Sequence, residues 1–212
     1  MSEKKRVYVY FDGSNFYHHL KDNYGIRKLD FYEIANQILD SANESLQQIK
    51  YYNSPVSQQD DPVAYANQNR FFAKLRSNPL IKVFLGNLRK RPLKKINMNC
   101  PKCGYQQANA IQCPVCKAPI DVMSCFKYSE KGVDVKLAVD ILLDALNNKY
   151  DVAFLFSSDA DFVPAIDHVI KKLKKDVIYC HFPKPRTDAL RIACSDSRLI
   201  TKEMIDASEI QT

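Results

Sequence analysis

No apolar run in the 212 residues approaches the length of a bilayer-spanning helix, which excludes a helical membrane protein. The opening "MSEKKR" is charged and leads straight into a strand-like stretch with no signal-peptide core. A cytoplasmic location is therefore expected. Internal repeats and low-complexity tracts are absent too, so a repeat array is excluded. Acid is the scarcer charge: 24 acidic residues stand against 31 basic ones, for a formal charge of +7. With 46% hydrophobic and 26% charged residues, the composition is that of a globular protein, not a disordered one. The length allows one ample core and a small appendage.

The basic surplus is clustered in "LRKRPLKK" at 88–95, "KKLKK" at 171–175 and "PKPR" at 183–186. Such clusters attract polyanions through their summed field and through counterion release. The plain alternative is a set of solvated faces. The candidate nucleic-acid contacts are Arg89, Lys90, Arg91, Lys94, Lys95, Lys184 and Arg186.

The period of the apolar pattern switches repeatedly between strand and helix. Val7 to Phe11 reads as a strand, and a helix starts at Ser14. "LDFYEIANQILD" is helical with Asp30 as its N-cap. "LQQIKYYN" is a second strand, and Asp61 with Pro62 opens the helix through "VAYANQNRFFAKLRS". "PLIKVFLG" is a third strand. After a break at 97–120 come an extended "VMSCFKY" and a helix, "GVDVKLAVDILLDALNN", apolar around nearly its whole circumference and so expected to be largely buried. "YDVAFLFSSD", "ADFVPAIDHVIKKLKK" and "DVIYCHF" add a strand, a helix and a fifth strand; a short helix from Thr187 and a terminal "RLITKEMI" follow. Alternating β and α elements imply a mainly parallel sheet with helices on both faces.

Ligands of such sheets bind outside the carboxyl ends of the strands, near the point where strand order reverses. Two apolar runs end in acid at that edge, "VYVYFD" at Asp12 and "VAFLFSSDAD" at Asp159 and Asp161. Asp134 lies in the first turn of the long helix, with Asp140 farther along it. Taken singly, each acid reads as a turn or capping residue. Carboxylates gathered together require a compensating cation, and hard oxygen ligands suit Mg²⁺ or Mn²⁺. An ion so held activates water and stabilises charge on a phosphate. The aspartyl-phosphate phosphatase reading of "FDGSN" is weak, because Ser14 stands where that motif has its second Asp.

"VYVYFDGSNF", "EKGVDVKLAVDILLDAL" and "AFLFSSDADFVPAIDHVIKK" resemble, in order and spacing, the NYN domain in its LabA-like branch, a subgroup of the PIN-like nuclease superfamily. The resemblance implies a PIN-like three-layer α/β sandwich and a metal-dependent ribonuclease site. It makes Asp12, Asp134, Asp159 and Asp161 the catalytic metal ligands, with Asn15, Asp140 and Ser158 in support. One departure is that "SSDAD" stands where the family often has "SGDSD". Serine at 158 is expected to strain a tight turn, and alanine at 160 lacks a hydroxyl.

Cys100, Cys103, Cys113 and Cys116 form a C-x₂-C-x₉-C-x₂-C pattern, the spacing of two knuckles around one structural Zn²⁺. So short a ribbon derives its folding energy from the metal. It either helps hold RNA, with Tyr105 for stacking, or acts as a brace or dimer contact. Cys125, Cys180 and Cys194 read as buried inert thiols, and His18, His19 and His181 as surface or capping residues.

The expected organisation is a discontinuous catalytic domain, 1–96 with 121–212, interrupted by a zinc ribbon at 97–120. The expected function is a Mg²⁺- or Mn²⁺-dependent endoribonuclease acting on single-stranded or structured RNA, with room for a homodimer or a protein partner. A non-catalytic RNA-binding or regulatory adaptor is the alternative, and a DNA nuclease differs from the first only in substrate.

Overall fold

The computed structural model describes residues 3–25, 27–92, 98–99, 106–107, 110–112, 115–121, 126–183 and 188–210. Contacts divide the chain into two compact units, Met1–Asn87 with Gly132–Thr212, and Leu88–Lys131. The larger unit contains β1 (Lys5–Asp12), α1 (Gly13–Tyr24), α2 (Phe31–Ile38), β2 (Glu44–Asn53), α3 (Pro62–Arg76) and β3 (Ile81–Leu85). It resumes with α4 (Val133–Leu146), β10 (Val152–Phe156), a 3-10 turn (Ala160–Phe162), α5 (Val163–Lys171) and β11 (Asp176–His181). It closes with α6 (Ala189–Ala193), β12 (Asp196–Leu199) and α7 (Lys202–Ala207).

Its six strands form one sheet in the order β12-β11-β10-β1-β2-β3, and every neighbouring pair is parallel. The period of two along each strand sends alternate side chains to opposite faces. Val7, Val9 and Phe11 pack with Ile49, Phe154 and Phe156 under α1, α2, α3 and α7. Tyr10, Tyr52, Ala153, Leu155 and Tyr179 pack under α4, α5 and α6. Both faces are thus covered, as parallel sheets require. The chain walks outward from β1 through β2 to β3, then returns to β10 on the other side of β1 and walks outward again. The strand order therefore reverses between β1 and β10.

Capping side chains set the helix starts. Asp30 accepts from the amides of Tyr32 at 2.9 Å and Glu33 at 3.3 Å, and Asp61 from that of Ala64 at 2.8 Å just ahead of Pro62. Gly25, at φ +82°, ends α1.

Three expectations change. The terminal segment contains a sixth strand, β12, whose polar sequence "DSRL" carries no apolar alternation. It docks because the Arg198 guanidinium lies 4.6 Å from the Phe154 ring centre and reaches Glu44, at the start of β2, at 2.6 and 2.8 Å. The run "ADFVPAIDHVIKKLKK" is a 3-10 turn followed by a helix that stops at Lys171; Pro164 sits in its first turn and Lys174 adopts φ +55°. Finally, α4 is not buried all round, since Val135, Val139, Leu143 and Leu146 are exposed.

The smaller unit is built of strand pairs: β4 (Asn87–Pro92) with β9 (Phe126–Lys131), β5 (Met98–Asn99) with β6 (Gln106–Gln107), and β7 (Ala110–Gln112) with β8 (Pro119–Asp121). The last two pairs are antiparallel. Cys116 is exposed in the turn between β7 and β8. Cys100, Cys103 and Cys113 lie outside the described residues, as do Tyr105 and Cys125. Among the described residues no helix is long and apolar enough to cross a membrane.

Candidate active site

The carboxyl ends of β1 and β10 lie side by side at the reversal of strand order, where an open parallel sheet offers its ligand crevice. Asp12 ends β1 and is 5% exposed. Its Oδ1 accepts the Asn15 amide at 3.2 Å, capping α1, and its Oδ2 accepts the Ser157 hydroxyl at 2.8 Å. An aspartate can close this buried strand because one oxygen serves the helix and the other serves the next strand. Two such bonds fix the plane of the carboxylate.

Ser157, the residue after β10, also accepts the Asp159 amide at 3.2 Å, and Asp159 Oδ1 accepts the Asp161 amide at 2.9 Å. A second set of bonds runs alongside. Asn15 Oδ1 accepts the Ser158 amide at 3.0 Å, and its Nδ2 donates to Ser158 Oγ at 3.1 Å. His19 Nε2 is 2.7 Å from the same hydroxyl, and its ring stacks on Phe182. The structure thus brings Asp12, Asn15, Ser158, Asp159 and Asp161 to one edge.

The glycine of "DGSN" has a steric cause. A Cβ at Gly13 would lie 2.4 Å from the Tyr51 hydroxyl and 2.5 Å from Cζ of the same ring. Tyr51 is 3% exposed, and its hydroxyl accepts from Asn53 Nδ2 at 3.3 Å. Burial, reinforced by the Asp12 carboxylate, raises its pKa well above the ordinary phenol value.

On the other face, α4 is held by a polar cluster beneath it. Asp140 is 5% exposed and accepts the Tyr52 hydroxyl at 2.7 Å and Lys136 Nζ at 2.6 Å. Asp144 accepts the Tyr10 hydroxyl at 2.7 Å and pairs with Lys50. Desolvation and these acids push the Tyr10 and Tyr52 hydroxyls far above their ordinary pKa. Asp140 thus lies between helix and sheet, bonded to a lysine and a tyrosine. Tyr52 stands opposite Asp12 in the strand register, and Tyr10 lies earlier in β1, so α4 runs antiparallel to the strands. Asp134 is six residues before Asp140, about 9 Å nearer the carboxyl edge at 1.5 Å per residue, and is exposed there.

The basic segments fare differently. In "KKLKK", Lys171 pairs with Asp167, and Lys175 with Asp151 at the amino edge, opposite the Asp12 edge. Arg89 and the backbone of Lys90 and Arg91 belong to β4. Lys94, Lys95, Lys184 and Arg186 lie outside the described residues. Cys180 is buried and its thiol pushed well above the ordinary value, while burial takes that of the half-buried Cys194 to about 12.

Three site residues escaped the sequence reading. His19 is buried, not a surface or capping residue; its place seven residues after Asp12, on the helix face shared with Asn15 and Phe16, was the available signal. Ser157 and Tyr51 sit in apolar strand contexts and carry no local signal. Ser158 also departs from expectation: the described non-glycine residues with positive φ are Lys117, Asn148 and Lys174, so serine there introduces no left-handed strain. Among the described residues, no group of three or more His, Cys, Asp or Glu side chains is close enough to hold a metal ion.

The NYN domain model matches residues 6–201, nearly the whole chain. The chain belongs to the NYN domain family. NYN domains are part of the PIN-like nuclease superfamily and are generally nucleases, and the match to this one runs through the smaller unit as well. No curated protein matches the chain. The crystal structure of VPA0982, a protein of unknown function from Vibrio parahaemolyticus RIMD 2210633, shares the fold. It has a TM-score of 0.60 and 18% identity, over 96% of this chain and 98% of that one.

Proposed function

We propose that this NYN domain is a Mg²⁺- or Mn²⁺-dependent endoribonuclease of the LabA-like branch, with Asp12, Asp134, Asp159 and Asp161 as its acidic residues. The observation that carries this reading is the joining of two strand ends through Ser157, with Asp12 on one side and Asp159 on the other. The carboxylates of Asp12 and Asp159 offer oxygen ligands, the chemistry of a hard cation, and Mg²⁺ binds through one or two carboxylates while keeping several waters. Asp12 and Asp159 would hold the ion, with Asp134 and Asp161 facing its waters. When bound, it supplies an activated water and screens charge on the scissile phosphate. Ser157 holds the Asp12 carboxylate in one orientation. Asn15 locks the Ser158 backbone, so the two strand ends keep their spacing when an anionic substrate arrives.

Cleavage of labelled single-stranded RNA in Mn²⁺ tests the proposal. Asp12→Asn is expected to lose about 100-fold or more of the activity while its circular dichroism spectrum stays that of the parent. Equal cutting by the variant would refute the assignment. The absence of a three-ligand group among the described residues favours a second reading, an RNA-binding adaptor without catalysis. It predicts salt-sensitive RNA binding and no cleavage with any divalent ion. For the smaller unit we propose one structural Zn²⁺ on Cys100, Cys103, Cys113 and Cys116. Elemental analysis should find one zinc per chain, and Cys116→Ser should lower that content.

A further inference from the structure

One face of α1 holds both sides of the acidic edge. Asp12 caps the helix, and Asn15 and His19 follow it at three and four residues, the spacing that keeps side chains on one face. These three residues meet the two serines that follow β10. Asp12 accepts the Ser157 hydroxyl, Asn15 accepts the Ser158 amide and donates to Ser158 Oγ, and His19 Nε2 lies 2.7 Å from that same Oγ. Asp159 is the next residue. The turn that carries Asp159 and Asp161 thus hangs from α1, and His19 is the anchor farthest along the helix, about 6 Å beyond Asn15 at 1.5 Å per residue.

The Ser158 hydroxyl has a single proton, and the bonds around it decide where that proton goes. Asn15 Nδ2 donates to the hydroxyl at 3.1 Å, while Asn15 Oδ1 already accepts the Ser158 amide at 3.0 Å and stands 3.3 Å from the hydroxyl. His19 Nε2, at 2.7 Å, is the closer acceptor and takes the proton. The imidazole is buried, stacked on Phe182 with ring centres 6.1 Å apart, and it shares a small cavity with Phe16, Phe156 and Cys180. A phenylalanine or leucine would fill such a place without desolvating two ring nitrogens. What histidine adds there is a rigid acceptor for Ser158.

From this we infer that His19 is a positioning residue: through Ser158 it fixes the turn that presents Asp159 and Asp161 beside Asp12. It acts through that serine, not on the substrate itself. The fixing of the turn stands on the geometry alone, and its consequence for cutting rests on the nuclease reading above. Partners that orient metal-binding side chains are typically worth roughly 10–100-fold in metal affinity or activity.

Amide hydrogen exchange over residues 157–162 of the full chain reads the turn directly, because the Asp159 and Asp161 amides are bonded within it. His19→Phe keeps a ring to stack and removes the acceptor. Exchange over that segment should rise about 10-fold, as for the loss of one buried hydrogen bond, while β1 exchanges as in the parent. His19→Gln offers a carbonyl to Ser158 and should restore most of the protection. In cutting of single-stranded RNA with Mn²⁺, His19→Phe should lower kcat about 10-fold with KM within about 2-fold of the parent, and His19→Gln should recover most of the loss. Parental exchange over 157–162 in His19→Phe would overturn the proposal. So would faster exchange in β1 as well with no repair by glutamine, the mark of a general loss of packing. Equal kcat for His19→Phe and a parent that cuts would also overturn it. A parent that does not cut, with exchange changing as stated, refutes the nuclease reading and supports the positioning role. If His19→Phe fails to fold, Ser158→Ala removes the same bond from its other end and must give the same rise in exchange; no rise would overturn the proposal.

Discussion

Replacing Lys50 by methionine keeps a stem of similar length under α4 and removes its charge. Lys50 Nζ lies 2.5 Å from Asp144 Oδ2 and 3.9 Å from Asp140 Oδ2, and the side chain is 10% exposed. In the variant Asp140 retains Lys136, but Asp144, with its side chain 16% exposed, is left with the Tyr10 hydroxyl. Removing one partner of a buried pair typically destabilises by 3–5 kcal/mol, and the partial exposure of Asp144 points to the lower end, about 3 kcal/mol. For a unit of this size that lowers Tm by about 6–12 °C. Asp144→Leu alone leaves the Tyr10 hydroxyl unmatched and Lys50 with a distant acid, a loss of about 2 kcal/mol. The double variant removes both charges and is expected to be no less stable than Lys50→Met, for a coupling of at least about 2 kcal/mol. Urea melts followed by far-ultraviolet circular dichroism measure all four corners of the cycle. A Lys50→Met loss below about 1 kcal/mol, or additive single effects, would show that these acids do not depend on Lys50.

Gly13→Ala forces the Tyr51 ring or the start of α1 to move. The expected loss is about 1–3 kcal/mol in a urea melt, and an unchanged midpoint would contradict the close approach. Ser158→Gly relieves no strained backbone and removes the hydroxyl shared by Asn15 and His19, so Tm should fall by the equivalent of about 1–2 kcal/mol; a rise would contradict this. The Arg6 guanidinium beside Asp151 holds that carboxyl well below the usual carboxylate range. A depressed acid stabilises fully above its unfolded pKa, near 4, and loses this contribution as pH falls through the lower folded value. Asp151 is about a third exposed, so Asp151→Asn should lower stability at pH 7 by roughly 1 kcal/mol, with the two urea midpoints converging below about pH 4. A constant gap down to strong acid would rule out the linkage.

Several parts of this chain were legible because their causes are local. The alternation in "VYVYF", the caps at Asp30 and Asp61, and the acid closing each of two apolar runs are written within a few residues of one another. The family motifs brought Asp12, Asn15, Ser158, Asp159 and Asp161 forward, and the fold seats them at one edge. The partners of those acids were not legible. Ser157 meets Asp12 across 145 residues of sequence because β10 returns to the side of β1, and no local pattern encodes which strand lies beside which. The edge strand β12 carries no apolar signal, and an ion pair from Arg198 to Glu44, 154 residues away in the chain, docks it.

The helix α4 marks the boundary most clearly. Its sequence shows apolar residues around most of the circumference and specifies a helix, but not the side on which it packs. That side is the one carrying Val133, Leu137, Ile141 and Ala145, where Lys50 and two tyrosines on strands far away in the chain also hold Asp140 and Asp144, and it leaves Val135, Val139, Leu143 and Leu146 outside. Local dihedral preference and periodicity act over one or two turns, whereas the orientation of a helix is decided by the apolar surface and the polar partners that folding brings together.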